Sequence, residues 1–471
     1  MSIDVTEQVA PPRAGTWGDL LSREHLGAAA TLAGGVVLYA LNVYLTAAVL
    51  PSVVDDIGGQ QYYAWVSTAF LTASVIASMM VSRLLARRSP SQAYLLAFFL
   101  FGAGSLVAAL APQMWVLVAG RVVQGLGGGL LAGLGFAVIR GALPERLWTR
   151  ATGLVSAMWG VGNLIGPALG GTFAGLGWWR QVFGVLAAVA LVLGFLSTRS
   201  LPHTATGAGG EVARLPVRSL ALVSLAATVL SVAAATERHG LALVTALAGV
   251  LLLVVFASTD GRRPSSVLPH PTYRRGNPLK WVYLTIGMLS AGVMAEAFIP
   301  LFGQELAGLT PVAAGFLGAA PSIGWTVAQV CSVGLRTPAA RRRAVLTGPV
   351  LLAAGLVGYG LLQTEDASPA RVLAWAAVLF VAGMGVGSAF PHLSVAAMRS
   401  STDPAEGAKA AAGVSTTQLV ANTLAAAVAG ILVALGGEDV VAATHWMSFG
   451  LAALAASAAV WARVALRRVE L

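Results

Sequence analysis

Uncharged, apolar stretches of about twenty residues recur along this chain, separated by short polar and basic segments. A helix needs roughly 20 such residues to cross the hydrocarbon of a bilayer. The pattern predicts spans near 27–50, 61–82, 91–111, 114–138, 151–173 and 179–198, followed by two more near 219–236 and 240–258. A last set lies near 281–302, 311–334, 344–363, 372–397, 408–434 and 443–462. The grouping is six, two, six, so an all-α polytopic membrane protein of about 14 transmembrane helices is expected.

Charge tests that count independently, because Lys and Arg collect on the cytoplasmic loops of membrane proteins. With the N-terminus inside, 25 of the 29 Lys and Arg residues fall on cytoplasmic segments. Arg180, Arg238 and Arg371 fall outside, and Arg121 lies within a span. Removing one helix would invert every later loop and destroy the bias, which favours an even count. Composition agrees: 57% of residues are apolar and 10% charged, far from the norm for a chain that folds in water. The net charge of +10 is then a signature of topology and of attraction to anionic membrane lipids, with no need for a nucleic-acid partner. A plasma-membrane protein with both termini cytoplasmic is expected.

Breaks in the pattern divide the chain. A cytoplasmic tail occupies 1–26, a six-helix bundle 27–198, a linker 199–216, two extra transmembrane helices 217–259, a second linker 260–278, and a second six-helix bundle 279–467. The tail lacks the basic start and cleavage site of a signal peptide and is expected to be mobile. The linkers carry Pro202, Pro216, Pro264, Pro269, Pro271 and Pro278, which break helical periodicity. Between them, the extra pair has no interior charge and is expected to be a lipid-facing hairpin, since functional spans carry interior polar groups. Cys331 is alone, which allows no internal disulfide and no cysteine-based metal site; a small packing role is expected for it. Neither metal nor cofactor is called for.

Against this apolar background a few polar residues stand out. Arg121 sits in Arg121-Val122-Val123-Gln124-Gly125-Leu126-Gly127. A guanidinium at membrane depth costs at least a few kcal/mol, so it should face a water-filled path or a partner rather than lipid. Of 19 acidic residues, only Glu296 is placed clearly within a span. At 1.5 Å per residue it lies about 9 Å below the outer surface, and Asn42 and Arg121 about 12 Å. His392, beside Pro391, lies nearer the cytoplasmic end. In the fifth span Gly162, Gly166 and Gly170 recur every fourth residue, with Gly171 alongside, so a neighbouring backbone can approach closely. Pro167 removes one backbone hydrogen bond there and permits a bend.

These motifs support recognition. The Arg121–Gly127 run resembles the fourth-helix motif of the major facilitator superfamily, and Gly162–Gly171, with Gly153 and Gly160 upstream, is similar to its antiporter motif. The stretch from Leu41-Asn42-Val43 to Leu50-Pro51 resembles the first-helix motif of its fourteen-span drug:proton antiporters. The resemblance implies that spans 1, 4, 7 and 10 of the two six-helix bundles line a central cavity. Asn42, Arg121, Glu296 and His392 occupy those four spans, one each. It also implies that the fifth-span glycine face shapes the interface between the two bundles. Gln124 and Gly125 join Asn42 and Arg121 as expected cavity and gating residues. Tyr39, Tyr44, Trp159, Phe298, Gln418 and Asn422 are candidates to line a substrate site.

Two departures bear on mechanism. Where the family usually has an Asp in the loop between its second and third helices, the corresponding positions here are Ser82, Ala86 and Ser89. Where many of the drug antiporters carry a proton-binding Asp, this chain has Asn42, which does not titrate. The reading is a monomeric secondary transporter that exports hydrophobic or amphipathic small molecules in exchange for protons, with Glu296 and His392 as the coupling candidates. An uncoupled or uptake carrier, or a mover of lipid-like solutes, is the alternative on the same fold. A membrane-embedded enzyme finds no support in paired intramembrane acids, a His-rich set or a phosphate loop.

Overall fold

The computed structural model describes residues 15–59, 62–204, 217–234, 239–262, 266, 268–401 and 403–467. Among them there is no strand, and fourteen long helices fall in order on the expected runs. The first bundle holds α1 (Leu26–Ile57), α2 (Tyr63–Met79), α3 (Pro90–Ala109), α4 (Met114–Ala137), α5 (Trp148–Gly175) and α6 (Trp179–Ser200). The extra pair is α7 (Val217–Ala234) and α8 (His239–Asp260). The second bundle holds α9 (Leu279–Ala307), α10 (Pro311–Ser332), α11 (Pro338–Leu361), α12 (Pro369–Met398), α13 (Pro404–Ala434) and α14 (Val440–Leu466). Ten helices are long and apolar enough to cross a membrane, and α2 with its continuation Val81–Arg87, bent by 48°, makes eleven. The other three, α5, α7 and α10, do not meet that measure.

Local sequence sets the helix ends. Ser89, Thr310 and Thr337 each precede a proline and accept a hydrogen bond from the backbone N–H three residues on, at 3.3, 3.3 and 3.2 Å. The hydroxyl satisfies a donor that the first turn leaves without a partner, and proline occupies a position whose N–H is not needed. Inside α9 the effect of proline is different. Pro300 has no N–H to give the carbonyl four residues back, which belongs to Glu296. The helix there tightens into a 3-10 turn over Met294–Ala297 before resuming at Ile299.

The two bundles repeat one packing plan. In the first, α2 and α3 both pack on α4, and α3 packs on α6. In the second, α10 and α11 pack on α12, and α11 packs on α14. The bundles meet along α5 with α10 and along α2 and α4 with α13.

Three expectations change. The extra hairpin faces outward along α8, as expected, but it is not a loose appendage: α7 lies against α2 and α13, where both bundles meet, and its Thr228 hydroxyl is 3.5 Å from that of Thr72. Ala233, Ala246 and Ala427 form a small buried cluster between the hairpin and α13. Only the outer face, with Leu247, Leu251 and Val254, is exposed; small side chains on the inner face made close packing possible without any polar signal. In the tail, residues 1–14 lie outside the described part, but residues 15–25 are docked. Thr16 and Asp19 close a capping box, and Leu20 is fully buried. Cys331, finally, is exposed on the outside of α10 rather than packed within. Most of the 199–216 linker, from residue 205 on, lies outside the described residues.

Candidate functional site

Two polar clusters interrupt the apolar interior. The first is built on Arg121, which is 1% exposed at the middle of α4. Its Nε donates to the Val66 carbonyl of α2 at 3.1 Å, and its Nη1 donates to Asn42 Oδ1 at 2.9 Å and Gln124 Oε1 at 2.5 Å. The guanidinium lies 4.2 Å from the centre of the Phe70 ring. Gln124 in turn donates to the Ser105 hydroxyl of α3 at 2.7 Å. Every one of these partners is neutral, and every one belongs to the first bundle. Close approach is needed to bring them in: a Cβ on Gly125 would press on Phe70 O and lie 2.9 Å from Ala73 Cβ.

The second cluster surrounds Glu296, carried by the 3-10 turn in α9. Tyr44 of α1 donates its hydroxyl to Oε1 at 3.0 Å, Asn163 of α5 donates Nδ2 to Oε2 at 3.0 Å, and Ser322 of α10 donates to Oε2 at 2.9 Å. Asn163 also reaches Ser322 Oγ at 2.5 Å. Two donors come from the first bundle and one from the second, so the carboxylate ties the bundles together. Asn42 and Tyr44 both lie on α1, two residues and about 200° apart, which is why one helix serves both clusters on opposite faces.

The sequence profile of the Major Facilitator Superfamily matches residues 32–413. The chain belongs to the major facilitator superfamily. It is 45% identical over 448 residues to a probable multidrug-efflux transporter of Mycobacterium tuberculosis, covering 94% of this chain and 95% of that protein. It is 27% identical over 283 residues to the multidrug efflux pump SdrM of Staphylococcus aureus, covering 59% of this chain and 62% of that one. Among solved structures, the human organic anion transporter MFSD10 superposes with a TM-score of 0.67 at 14% identity, over 93% of this chain and 99% of that chain. The proton:xylose symporter XylE superposes with a TM-score of 0.65 at 15% identity, over 92% and 94%. At such identities the structural likeness speaks for the fold alone. This member of the major facilitator superfamily is thus a multi-pass membrane transporter.

The four polar residues expected to line one cavity form two separate sites, with His392 apart from both. Asn42 and Arg121 are joined, Glu296 stands apart with other partners, and His392 is buried with its Nε2 atom lacking a partner. Tyr39 packs between Phe70 and Trp159, with ring centres 5.3 and 5.2 Å away. Gln418 is buried on α13, and Asn422 there has a buried, unpartnered Oδ1. Phe298 is half-buried immediately after the 3-10 turn.

The fifth-span glycine face also lies elsewhere than the resemblance implied. Gly162, Gly166 and Gly170 press on Ala40, Tyr44 and Ala48 of α1, so that stripe holds one bundle together. Gly171 has open space where a Cβ would stand, and Pro167 lies between these positions in the same helix. The face that meets the other bundle carries Gly153 and Gly160 instead, the first against Val333 just past α10 and the second against Ser322 and Thr326 of α10. Asn163 and Ser322 were the partners that sequence reasoning missed. Asn163 was visible as the one amide within the glycine motif; Ser322, in an apolar run beside Pro321, gave no signal.

At the end of the molecule where both described termini lie, the bundles are closed on each other. Arg140 donates to the carbonyls of Met398 and Ser401 at 3.0 and 3.4 Å, and Arg399 pairs with Glu145 at 2.8 Å. Deeper in, the Ser415 hydroxyl donates to Ala132 O at 2.8 Å, and Gln329 Nε2 donates to Gly153 O at 3.0 Å. These contacts all cross the boundary between the bundles.

Proposed function

We propose that this transporter exports hydrophobic or amphipathic small molecules across the plasma membrane in exchange for protons, with Glu296 as the proton-responsive group. One observation carries the reading: the carboxylate accepts three hydrogen bonds from α1, α5 and α10, and so from both bundles. An ionised carboxylate only accepts, whereas a protonated one also donates. Adding a proton removes the negative charge that strengthens all three of these bonds and turns one acceptor site into a donor. Because those donors lie on opposite sides of the boundary, protonation weakens the tie between bundles at this depth. That is a direct link between proton loading and the rocking of two bundles about a midplane site. The name carried by the Mycobacterium tuberculosis relative, a probable multidrug-efflux transporter, supports the substrate class and the outward direction.

The test uses Glu296→Gln in proteoliposomes with an imposed proton gradient and a hydrophobic cationic dye. Gln is nearly isosteric and neutral at every pH. Gradient-driven accumulation is expected to vanish while dye binding persists. Accumulation at the parent rate would remove Glu296 from coupling; gradient-independent flux in both proteins would favour the uncoupled carrier.

A further inference from the structure

A cavity of about 670 Å³ lies where the extra hairpin meets the second bundle, with α8, α9 and α13 as its main walls. Its lining is almost wholly apolar and includes none of the residues in the Arg121 and Glu296 clusters. The volume is that of a ligand site rather than a packing fault. Along α9 the lining runs from Lys280 to Ala291, about 17 Å at 1.5 Å per residue. That length suits an extended hydrocarbon chain.

Charge appears at one end only. Lys280 lies there, its ammonium 4.8 Å from the Trp281 ring centre and paired with no carboxylate among the described residues. Thr272, 7% exposed, lines the same end with a buried Oγ1 that has no hydrogen-bond partner. The nearby carboxylates are engaged elsewhere. Asp260 accepts from Tyr273 OH at 2.7 Å and from Leu268 N at 3.2 Å, while Glu406 accepts from His270 N at 2.9 Å. Arg274 and Arg275 are exposed just beyond. The mouth therefore offers a cation and a free hydroxyl, and the interior, apart from Thr416 and Thr417 on α13, offers hydrocarbon.

We propose that this cavity seats an anionic phospholipid from the adjoining leaflet, with an acyl chain in the groove and the headgroup phosphate at Lys280 and Thr272. Charge complementarity selects this occupant over a hydrophobic cation, which would place like charge against Lys280. The tail also reaches the boundary between bundles, because Thr416 in the lining has its hydroxyl 3.2 Å from that of Ser78 on α2. The seat explains why the hairpin is retained against the seam: with the lipid, it closes a surface that the second bundle alone leaves open. None of this depends on what the transporter carries or on proton coupling.

The experiment uses full-length protein in phosphatidylcholine nanodiscs containing acyl-diazirine probes, either phosphatidylglycerol or phosphatidylcholine, with photo-adducts mapped by mass spectrometry. Adducts are expected on α8, α9 and α13 around the cavity, severalfold more with the phosphatidylglycerol probe. Lys280→Gln should remove that headgroup preference. Gly287→Leu should lower cavity labelling severalfold by filling the groove; a Cβ at Gly287 meets only ordinary contacts, Thr417 Cγ2 at 3.5 Å and Ala421 Cβ at 3.7 Å. Ala421→Leu on the facing helix repeats the block should Gly287→Leu fail to yield monodisperse protein. Equal labelling by the two probes in the parent, or undiminished labelling in the filled variants, overturns the proposal. Displacement of the probe by a hydrophobic cationic dye also overturns it, in favour of a second transport-substrate site.

Discussion

The Arg121 and Glu296 clusters are both polar islands in an apolar protein, yet they are wired in opposite ways. The Arg121 cluster is closed within one bundle: a buried cation whose partners are a backbone carbonyl and two amide oxygens from α1, α2 and α4. The Glu296 cluster is open across the boundary, drawing donors from α1, α5 and α10. Interactions inside one rigid body survive a rocking motion, whereas interactions between two bodies must be made and broken. The difference separates a group that shapes its bundle from one whose chemistry can be felt by the moving parts.

The largest effect expected from breaking this contrast is on stability. Arg121→Ala would take the guanidinium donor from Val66 O, Asn42 Oδ1 and Gln124 Oε1 in a buried site, leaving Asn42 Oδ1 with only the Thr46 hydroxyl at 3.4 Å. Each buried polar group so stranded costs about 1–3 kcal/mol, so the variant should lose much of its folded population in detergent. Thermal unfolding followed by size exclusion measures this. Arg121→Lys should recover only part, because an ammonium lacks the planar fork that serves several acceptors at once. Normal stability with lost transport would instead place Arg121 in the transport step itself.

A second contrast lies along α5. A side chain at Gly160 meets Thr326 Oγ1 and lies 2.9 Å from Ser322 O across the boundary, while one at Gly171 meets nothing within 4 Å. Gly160→Leu should therefore prop the bundles apart and reduce transport at least tenfold, with Gly171→Leu close to the parent in both transport and yield. Equal losses at the two sites would mean that the glycines act through helix propensity rather than through close approach.

How much of this was legible in the sequence differs between fold and site. The helices were readable because a span must satisfy all its backbone groups internally and remain apolar along its length, which leaves a strong, local signal. Arg121 and Glu296 were readable for the same reason, as charges in the wrong solvent. Their partners were not. Whether Asn42 lies near Arg121 or near Glu296 depends on the rotation of α1 about its axis, and depth below the surface carries no information on rotation. The hairpin's docking was hidden too, because Ala233, Ala246 and Ala427 bury as readily against lipid-like side chains as lipid chains do. The glycine face that meets the other bundle was masked by a more regular one, Gly162–Gly166–Gly170, that serves α1.

A third, milder test sharpens the comparison at Asn42. Asp at this position would put a carboxylate against a buried cation that at present has only neutral partners. An opposite charge so placed is held by Arg121, within one bundle, and is not delivered to the boundary. Asn42→Asp should therefore fold well, and Glu296→Gln combined with Asn42→Asp should stay inactive in gradient-driven accumulation. Recovery of coupling in the double variant would show that the two clusters exchange partners during the cycle.

The smallest effect concerns the closed end of the molecule, where two arginines cross the boundary in different ways. The Arg399–Glu145 pair is solvent-exposed, with side chains 44% and 61% accessible, and pairs of that kind contribute about 0–1 kcal/mol. Arg140 instead donates to the Met398 and Ser401 carbonyls at the end of α12, where a helix leaves acceptors without intrahelical partners and a cation also meets the negative end of the helix dipole. Arg399→Ala should change little, and Arg140→Ala should shift the balance toward opening at this end. A cysteine at Ser78, fully buried and bonded to Thr416 across the boundary, reports the shift when Cys331 is replaced by alanine. Alkylation of Ser78→Cys should stay slow in the parent and with Arg399→Ala, and accelerate with Arg140→Ala. Equal acceleration by both variants would make the exposed ion pair as strong a clasp as the carbonyl contacts, against the ranking that solvent screening gives.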